Sequence, residues 1–169
     1  AGTEIRQGQN TNVNIIQLNP KRIEDLALRR AILASVDREQ IAKAYFSQLG
    51  WTEPLPGSII AMPFQKGYQN NYAGDTGAQA AGKILEAAGY SKSGDYYAKN
   101  GKVAGFALTS FGSEAVYQAV YQILEQQLKS AGIRLSADNQ PQSNSNSVLG
   151  QKSYEAIFTG WGVLPDLAS

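Results

Sequence analysis

The chain has 169 residues and a mass of 18.2 kDa, a length that fits one domain. It contains neither cysteine nor histidine, which excludes disulfides, thiolate nucleophiles, Ser-His-Asp triads, and zinc or iron–sulfur sites built on those side chains. A net charge of +1 leaves no electrostatic footprint for nucleic acid, and no apolar run reaches the roughly 18 residues of a membrane span.

In chain order, residues 1–12 are polar and form an expected loose lead-in. Residues 13–18 (VNIIQL) predict a strand that stops at Asn19 and Pro20. Leu28, Ala31, Ile32 and Ser35 share one face of a helix expected over 24–35, with Asp25 and Arg29 at the i,i+4 ion-pair spacing. Asp37 is placed to cap a second helix, 38–49, with Gln40 at the reciprocal capping position and Gly50 as its stop. Residues 51–74 hold three prolines and several aromatics, the composition of a loop pinned by its own side chains, and Trp51 reads as a packing anchor.

Asp75 or Thr76 is expected to open an Ala-rich helix, 76–88, with Gly89 behind it. Residues 91–101 read as a polar turn region, and 103–109 as a strand. Val116, Val120, Ile123, Leu124 and Leu128 mark a long helix over 113–130, followed by Gly132. Strands are expected at 133–137 and 155–159, with a polar loop between them. Strands alternating with helices predict an α/β domain whose sheet is covered by helices.

Two motifs mimic chemistry. Gly77 to Lys83 matches the G-x-x-x-x-G-K phosphate loop, but Ile84 stands where a hydroxyl should hold Mg²⁺, and no apolar strand precedes it. A glycine packed closely inside a helix explains Gly82 better. The carboxylates Glu24, Asp25, Asp37 and Glu39 sit at spacings that share no helix face and suit helix first turns. No catalytic constellation and no metal-ligand set can be assembled, so no enzyme activity, metal or cofactor is expected. Trp161, between Gly160 and Gly162 at the end of a strand, stands at the sheet edge where α/β proteins collect ligands; it either meets a ligand there or caps the core.

Four segments in order resemble one family, the large extracellular solute-binding proteins that serve ABC importers of oligopeptides, dipeptides and nickel. LNPKRIEDLALRRAILASVDREQIA carries Asn19, Asp25, Arg29, Ala31, Ile32, Asp37, Arg38 and Glu39 of the family's first stretch. YAGDTGAQAAGKILEAAGY carries Ala81, Leu85, Ala88, Gly89 and Tyr90 of its helix ending in A-G-Y; ILEQQLKSAGIRLS and YEAIFTGWGVLPD are similar to a helix–strand unit and to a G-W-x-x-D turn.

The resemblance implies one lobe of a two-lobed periplasmic-binding-protein-like fold, a mixed sheet covered by helices, with the N-terminal lobe absent. A chain that begins at Ala1 is then expected to be processed, or excised from something longer. The implied function is capture of a peptide or similar small solute between lobes and its delivery to ABC permease subunits. The implied location is extracellular or periplasmic, as a membrane-anchored lipoprotein or a secreted protein. Cleft contacts carried over from the family fall on Phe111, Ser113, Glu114, Val116, Gln142, Trp161, Gly162 and Leu164. Where peptide binders place an acid that pairs with the peptide's α-ammonium, this chain has Leu164, with Asp166 the nearest substitute. Such members often carry an aromatic residue where Gln142 stands. A short helix is implied near 143–149. From another class, a free-standing protein-interaction domain without a small ligand is the alternative.

Overall fold

The computed structural model describes residues 12–46, 54–72, 74–112 and 115–162, with Trp161 described by its backbone alone. The elements are β1 (Asn12–Leu18), α1 (Leu26–Ser35), α2 (Arg38–Tyr45), α3 (Ala78–Ala87), β2 (Ser91–Ser93), β3 (Tyr96–Lys99), β4 (Lys102–Val103), β5 (Gly105–Phe111), α4 (Ala115–Ser130), β6 (Arg134–Gln140), a 3-10 turn (Gln142–Asn144), α5 (Ser145–Gln151) and β7 (Ala156–Gly162). The main sheet has the order β1-β7-β5-β6; β1 runs antiparallel to β7, while β5 is parallel to both β7 and β6. This is the mixed α/β architecture expected.

Side-chain alternation along the strands sets the layers. Phe106 and Leu108 of β5, Leu135 of β6 and Ala156 of β7 join one core cluster with α1 (Leu28, Ala31, Ile32), α3 (Ala81, Leu85) and α4 (Val120, Leu124, Leu128). Thr109 and Ile157, one residue out of phase, face the other side of the sheet and are also fully buried. Asn19 closes the end of β1. Its side-chain N–H groups donate to the carbonyls of Lys152 and Tyr154 at 2.9 Å each, and its backbone N–H donates to Glu155 at 2.8 Å.

Several local expectations are corrected. Helix α1 begins after Asp25, whose carboxylate accepts from the N–H groups of Ala27 and Leu28. Arg29 does not pair with it; the guanidinium donates instead to the carbonyls of Ile23 and Glu24, at 2.6 and 2.9 Å. Asp37 does cap α2, accepting from Gln40 N–H, but the reciprocal bond comes from Gln127 on α4, whose Oε1 accepts from Asp37 N–H. Gly77 starts α3, rather than Asp75 or Thr76, with no side-chain cap; its N–H donates to Ala34 at the end of α1.

Residues 91–103 form a three-stranded meander, β2-β3-β4, where a polar turn region is expected over 91–101. Asn100 and Gly101 both have positive φ (52° and 76°), the geometry of a tight two-residue hairpin, and they join Lys99 to its partner Lys102. The tract after β6 is helical, as the family resemblance implies and as its polar composition did not suggest. Residues 54–72 form the pinned loop expected. Arg38 donates to Pro56 O at 2.7 Å and stacks 3.6 Å from the Tyr72 ring centroid, while Tyr72 donates to Leu33 O. Trp51 and Gly50 lie outside the described residues.

Candidate functional site

The parallel strands β5, β6 and β7 bring their carboxyl ends to one edge of the sheet. From β5 the chain crosses through α4 to β6 on one side; from β6 it crosses through α5 to β7 on the other side of β5. The strand order therefore reverses between β5 and β7, and in α/β sheets ligands bind in the crevice at the carboxyl ends of such a pair. The buried outer face at Thr109 and Ile157 lies where a right-handed return through α5 is expected.

The pairing of β5 with β7 covers Leu108–Ala156 and Thr109–Ile157. Beyond it β7 continues to Gly162 in register with β1 alone, Trp161 opposite Val13 and Gly162 opposite Asn12. The crevice thus has β5 and β6 as one wall and the end of β7 as the other.

The β5–β6 wall changes character along its length. Phe106, Leu108 and Leu135 are apolar and buried, but the last turns of the strands carry paired polar groups. Thr109 Oγ1 donates to Asp138 Oδ2 at 2.7 Å, and Ser110 Oγ donates to Asn139 Oδ1 at 2.8 Å. Gln140 Nε2 donates to Asp138 Oδ1 at 2.6 Å, and Asn144 Nδ2 donates to Gln140 Oε1 at 3.2 Å. This chain of amides and hydroxyls around the Asp138 carboxylate can orient polar groups of a ligand.

Of the residues expected to face the cleft, Phe111 ends β5, half-buried and opposite Gln140. Val116 lies half-buried in the first turn of α4. Gln142 starts the 3-10 turn after β6, exposed, and Gly162 ends β7, exposed. Three strand ends or their following turns thus gather Phe111, Gln142 and Gly162 at the same edge. Ser113, Glu114, Leu164, Asp166 and the side chain of Trp161 lie outside the described residues. Thr109, Asp138, Gln140 and Asn144 were missed, because the strand over 133–137 continues three residues further than expected. Their signal was the alternation Ser136, Asp138, Gln140 on one face.

Electrostatic perturbation lies away from this edge. Burial alone pushes the Asp25 carboxyl upward, but hydrogen bonds from Tyr90, Leu28 and Ala27, with the charge of Lys99 3.5 Å away, outweigh it and hold it below the usual range. The Tyr90 hydroxyl is pushed up to about 12, first by burial and then by the Asp25 carboxylate it donates to. Tyr97 is raised by its hydrogen bond to Glu86 and by burial. These groups sit in the packing between α1, α3 and the small sheet, where they stabilise the fold. Among the described residues no group of three carboxylates is placed to hold a metal ion. A cavity of about 340 Å³ beside Tyr96, Glu125, Lys129 and Ile133 lies at the amino end of β6, away from the crevice.

Residues 1–168 match the family of bacterial extracellular solute-binding proteins, family 5, by its middle region. The chain belongs to that family. No curated protein matches it. Among solved structures, this family 5 chain is similar to NikZ from Campylobacter jejuni in complex with Ni(L-His), with 21% identity and a TM-score of 0.68 over 94% of this chain and 31% of that one. It is also similar to the oligopeptide-binding protein AppA from Bacillus subtilis in complex with a nonapeptide, with 20% identity and a TM-score of 0.61 over 93% and 34%. A mannohexaose-bound periplasmic oligopeptide-binding protein from Thermotoga maritima has 19% identity and a TM-score of 0.76 over 92% and 31%. These likenesses show that the family 5 chain shares their fold. It spans about a third of their length.

Proposed function

We propose that this chain forms one lobe of the substrate-binding component of an ABC importer, which captures a peptide or similar small solute between two lobes and presents it to a membrane permease. The observation that carries the reading is the reversal of strand order between β5 and β7, which opens a crevice at the carboxyl ends where Phe111, Gln142 and Gly162 gather. Family membership supports an extracellular or periplasmic location, membrane-anchored or secreted. No chemical step is needed. A ligand that binds the closed arrangement better than the open one shifts the hinge equilibrium, and the closed form is what the permease reads.

With Leu164 at the position where peptide binders carry an acid, a buried α-ammonium would lack its partner unless Asp166 moved forward to serve it. The ligand is therefore one without an obligatory free amino terminus, held mainly by apolar and amide contacts. The test is calorimetric titration of the two-lobed protein containing this chain with one peptide, free and N-acetylated. Comparable affinity for both forms supports the reading. Tight binding of only the free form, abolished by Asp166→Asn, assigns the acidic role to Asp166; if it survives that change, this account of the cleft fails. The 169-residue chain alone supplies one of the two lobes, so sub-micromolar peptide binding to it would refute the two-lobe mechanism.

The exposure of Ile59 and Ile60, 73% and 72%, with Phe64 at 50% beside them in the pinned loop, favours a second reading as a protein-interaction surface. Loss of permease coupling with solute affinity intact in an Ile59→Ser/Ile60→Ser variant would assign that loop to a protein contact.

A further inference from the structure

We propose that Asp138 and Phe111 form a subsite for an organic cation, a guanidinium group carried by a side chain of the bound solute. This rests on the reading of the strand ends as the ligand-binding edge. Register puts Thr109, Phe111, Asp138 and Gln140 on one face of the β5–β6 pair, with Phe111 opposite Gln140 and diagonal to Asp138. Strands about 4.8 Å apart with a rise of about 3.3 Å per residue put such diagonal neighbours about 8 Å apart, a spacing that lets a planar cation sit between a carboxylate and a ring.

The carboxylate is fixed in place before any ligand arrives. Thr109, 1% exposed, donates to one oxygen, and Gln140 donates to the other while its own carbonyl accepts from Asn144. Both donors to Asp138 are neutral. Among the described residues no lysine or arginine pairs with it; the ion pair there is Lys99 with Asp25, in the packing away from the crevice. A carboxylate accepts about four hydrogen bonds, so two acceptor positions stay open on Asp138.

Half-burial at the strand ends strengthens an ionic contact relative to open solvent. The ring of Phe111 adds a face that attracts cations. A guanidinium can donate two parallel N–H groups to a carboxylate, which a neutral urea of the same shape does far less strongly. Gln140 and Asn144 are positioning residues: they hold the carboxylate and tie it to the turn that begins at Gln142.

The experiment uses the 169-residue chain, ¹⁵N-labelled, titrated with N-acetyl-L-arginine amide and, separately, N-acetyl-L-citrulline amide at one ionic strength. The arginine derivative is expected to shift the amide signals of Phe111, Asp138 and Gln140 saturably, with at least tenfold weaker binding by citrulline. Asp138→Asn should bring arginine down to the citrulline level, and Phe111→Leu should weaken it by about threefold, consistent with a modest cation–π contribution. Spectra of core residues such as Leu85 and Leu124 report whether each variant is folded. Equal responses to both derivatives at these positions overturn the cation subsite and leave the crevice reading standing. An arginine response that survives Asp138→Asn, or none at the strand ends, also overturns it. The crevice reading fails separately, if the peptide titrations of the two-lobed protein show no binding.

Discussion

Replacing Asn19 by alanine removes the clasp that ties the end of β1 to the turn before β7. The side chain is 6% exposed and donates two hydrogen bonds, to Lys152 O and Tyr154 O, each 2.9 Å long; its Oδ1 accepts from Lys21 N–H at 3.1 Å. Each intramolecular bond contributes about 1 kcal/mol net, and an acceptor left buried without a donor costs about 1–3 kcal/mol. The Tyr154 carbonyl is the buried one, and Lys21 N–H can turn to water. The sum is a loss of about 2–4 kcal/mol, which for a domain of this size lowers the melting temperature by roughly 6–12 °C. Urea unfolding of the 169-residue chain, followed by circular dichroism, measures it. Asn19→Asp provides the control: it keeps the bond from Lys21, loses both donations and points a carboxylate at two carbonyls, so it should be at least as damaging as alanine. A loss below about 0.5 kcal/mol in Asn19→Ala, or an Asn19→Asp variant as stable as the parent, would refute the clasp.

Gly82→Ala reverses the usual helix preference, in which alanine is favoured over glycine by about 1 kcal/mol. A Cβ there would stand 2.9 Å from the Tyr97 hydroxyl, which is held by Glu86 at 2.7 Å, so a destabilisation of about 1–3 kcal/mol is expected in chemical denaturation. Tyr97→Phe in the same background should recover part of it, and a stabilised Gly82→Ala single variant would show that the contact yields freely. Stability should also fall between about pH 10 and 12. The Tyr90 hydroxyl keeps its proton in the folded state up to about 12, while the unfolded chain releases it near 10, so this contribution is complete below pH 10 and lost as pH rises. Tyr90→Phe should flatten that alkaline decline in urea-unfolding midpoints taken from pH 8 to 12; an unchanged slope counts against the Asp25–Tyr90 pairing. Asp25 acts at the other end, its depressed pKa adding stability that disappears as pH falls below the ordinary carboxylate range.

The elements that could be read in the residue order are those whose burial repeats along the chain. Val120, Leu124 and Leu128 mark the inner stripe of α4, and Leu28, Ala31 and Ile32 that of α1; α1 starts two residues later than periodicity places it, and α4 ends at Ser130 as expected. The elements that escaped have no such repeat. Ser91–Ser93 is exposed throughout, α5 buries none of its residues, and the meander is anchored through Tyr97, which threads between Gly82 and Gly132. Gly82, the residue that imitates a phosphate loop, is there to make room for that ring. The Asp25–Arg29 pair and the reciprocal half of the Asp37–Gln40 capping box failed for a related reason. Capping boxes and i,i+4 pairs are local rules, whereas Asp25 is shared with Tyr90 and Lys99 and Asp37 with Gln127, partners 65 to 90 positions away.

The same distinction governs the proposed binding edge. That the carboxyl ends of the strands gather near Phe111 and Gly162 follows from strands alternating with helices, since parallel strands align their carboxyl ends whatever their side chains are. Which polar groups line it does not follow, because Thr109 and Asp138 meet only once β5 and β6 pair in register, 29 positions apart. A shift of one residue in that register would turn Asp138 to the core face beside Leu108 and Ser110, and bury a charge where now there is a hydrogen-bonded pair. Asp138 and the apolar run Ile133, Leu135 therefore select the same register from opposite faces of one strand. The residue proposed to recognise the ligand is also one that keeps the sheet from slipping.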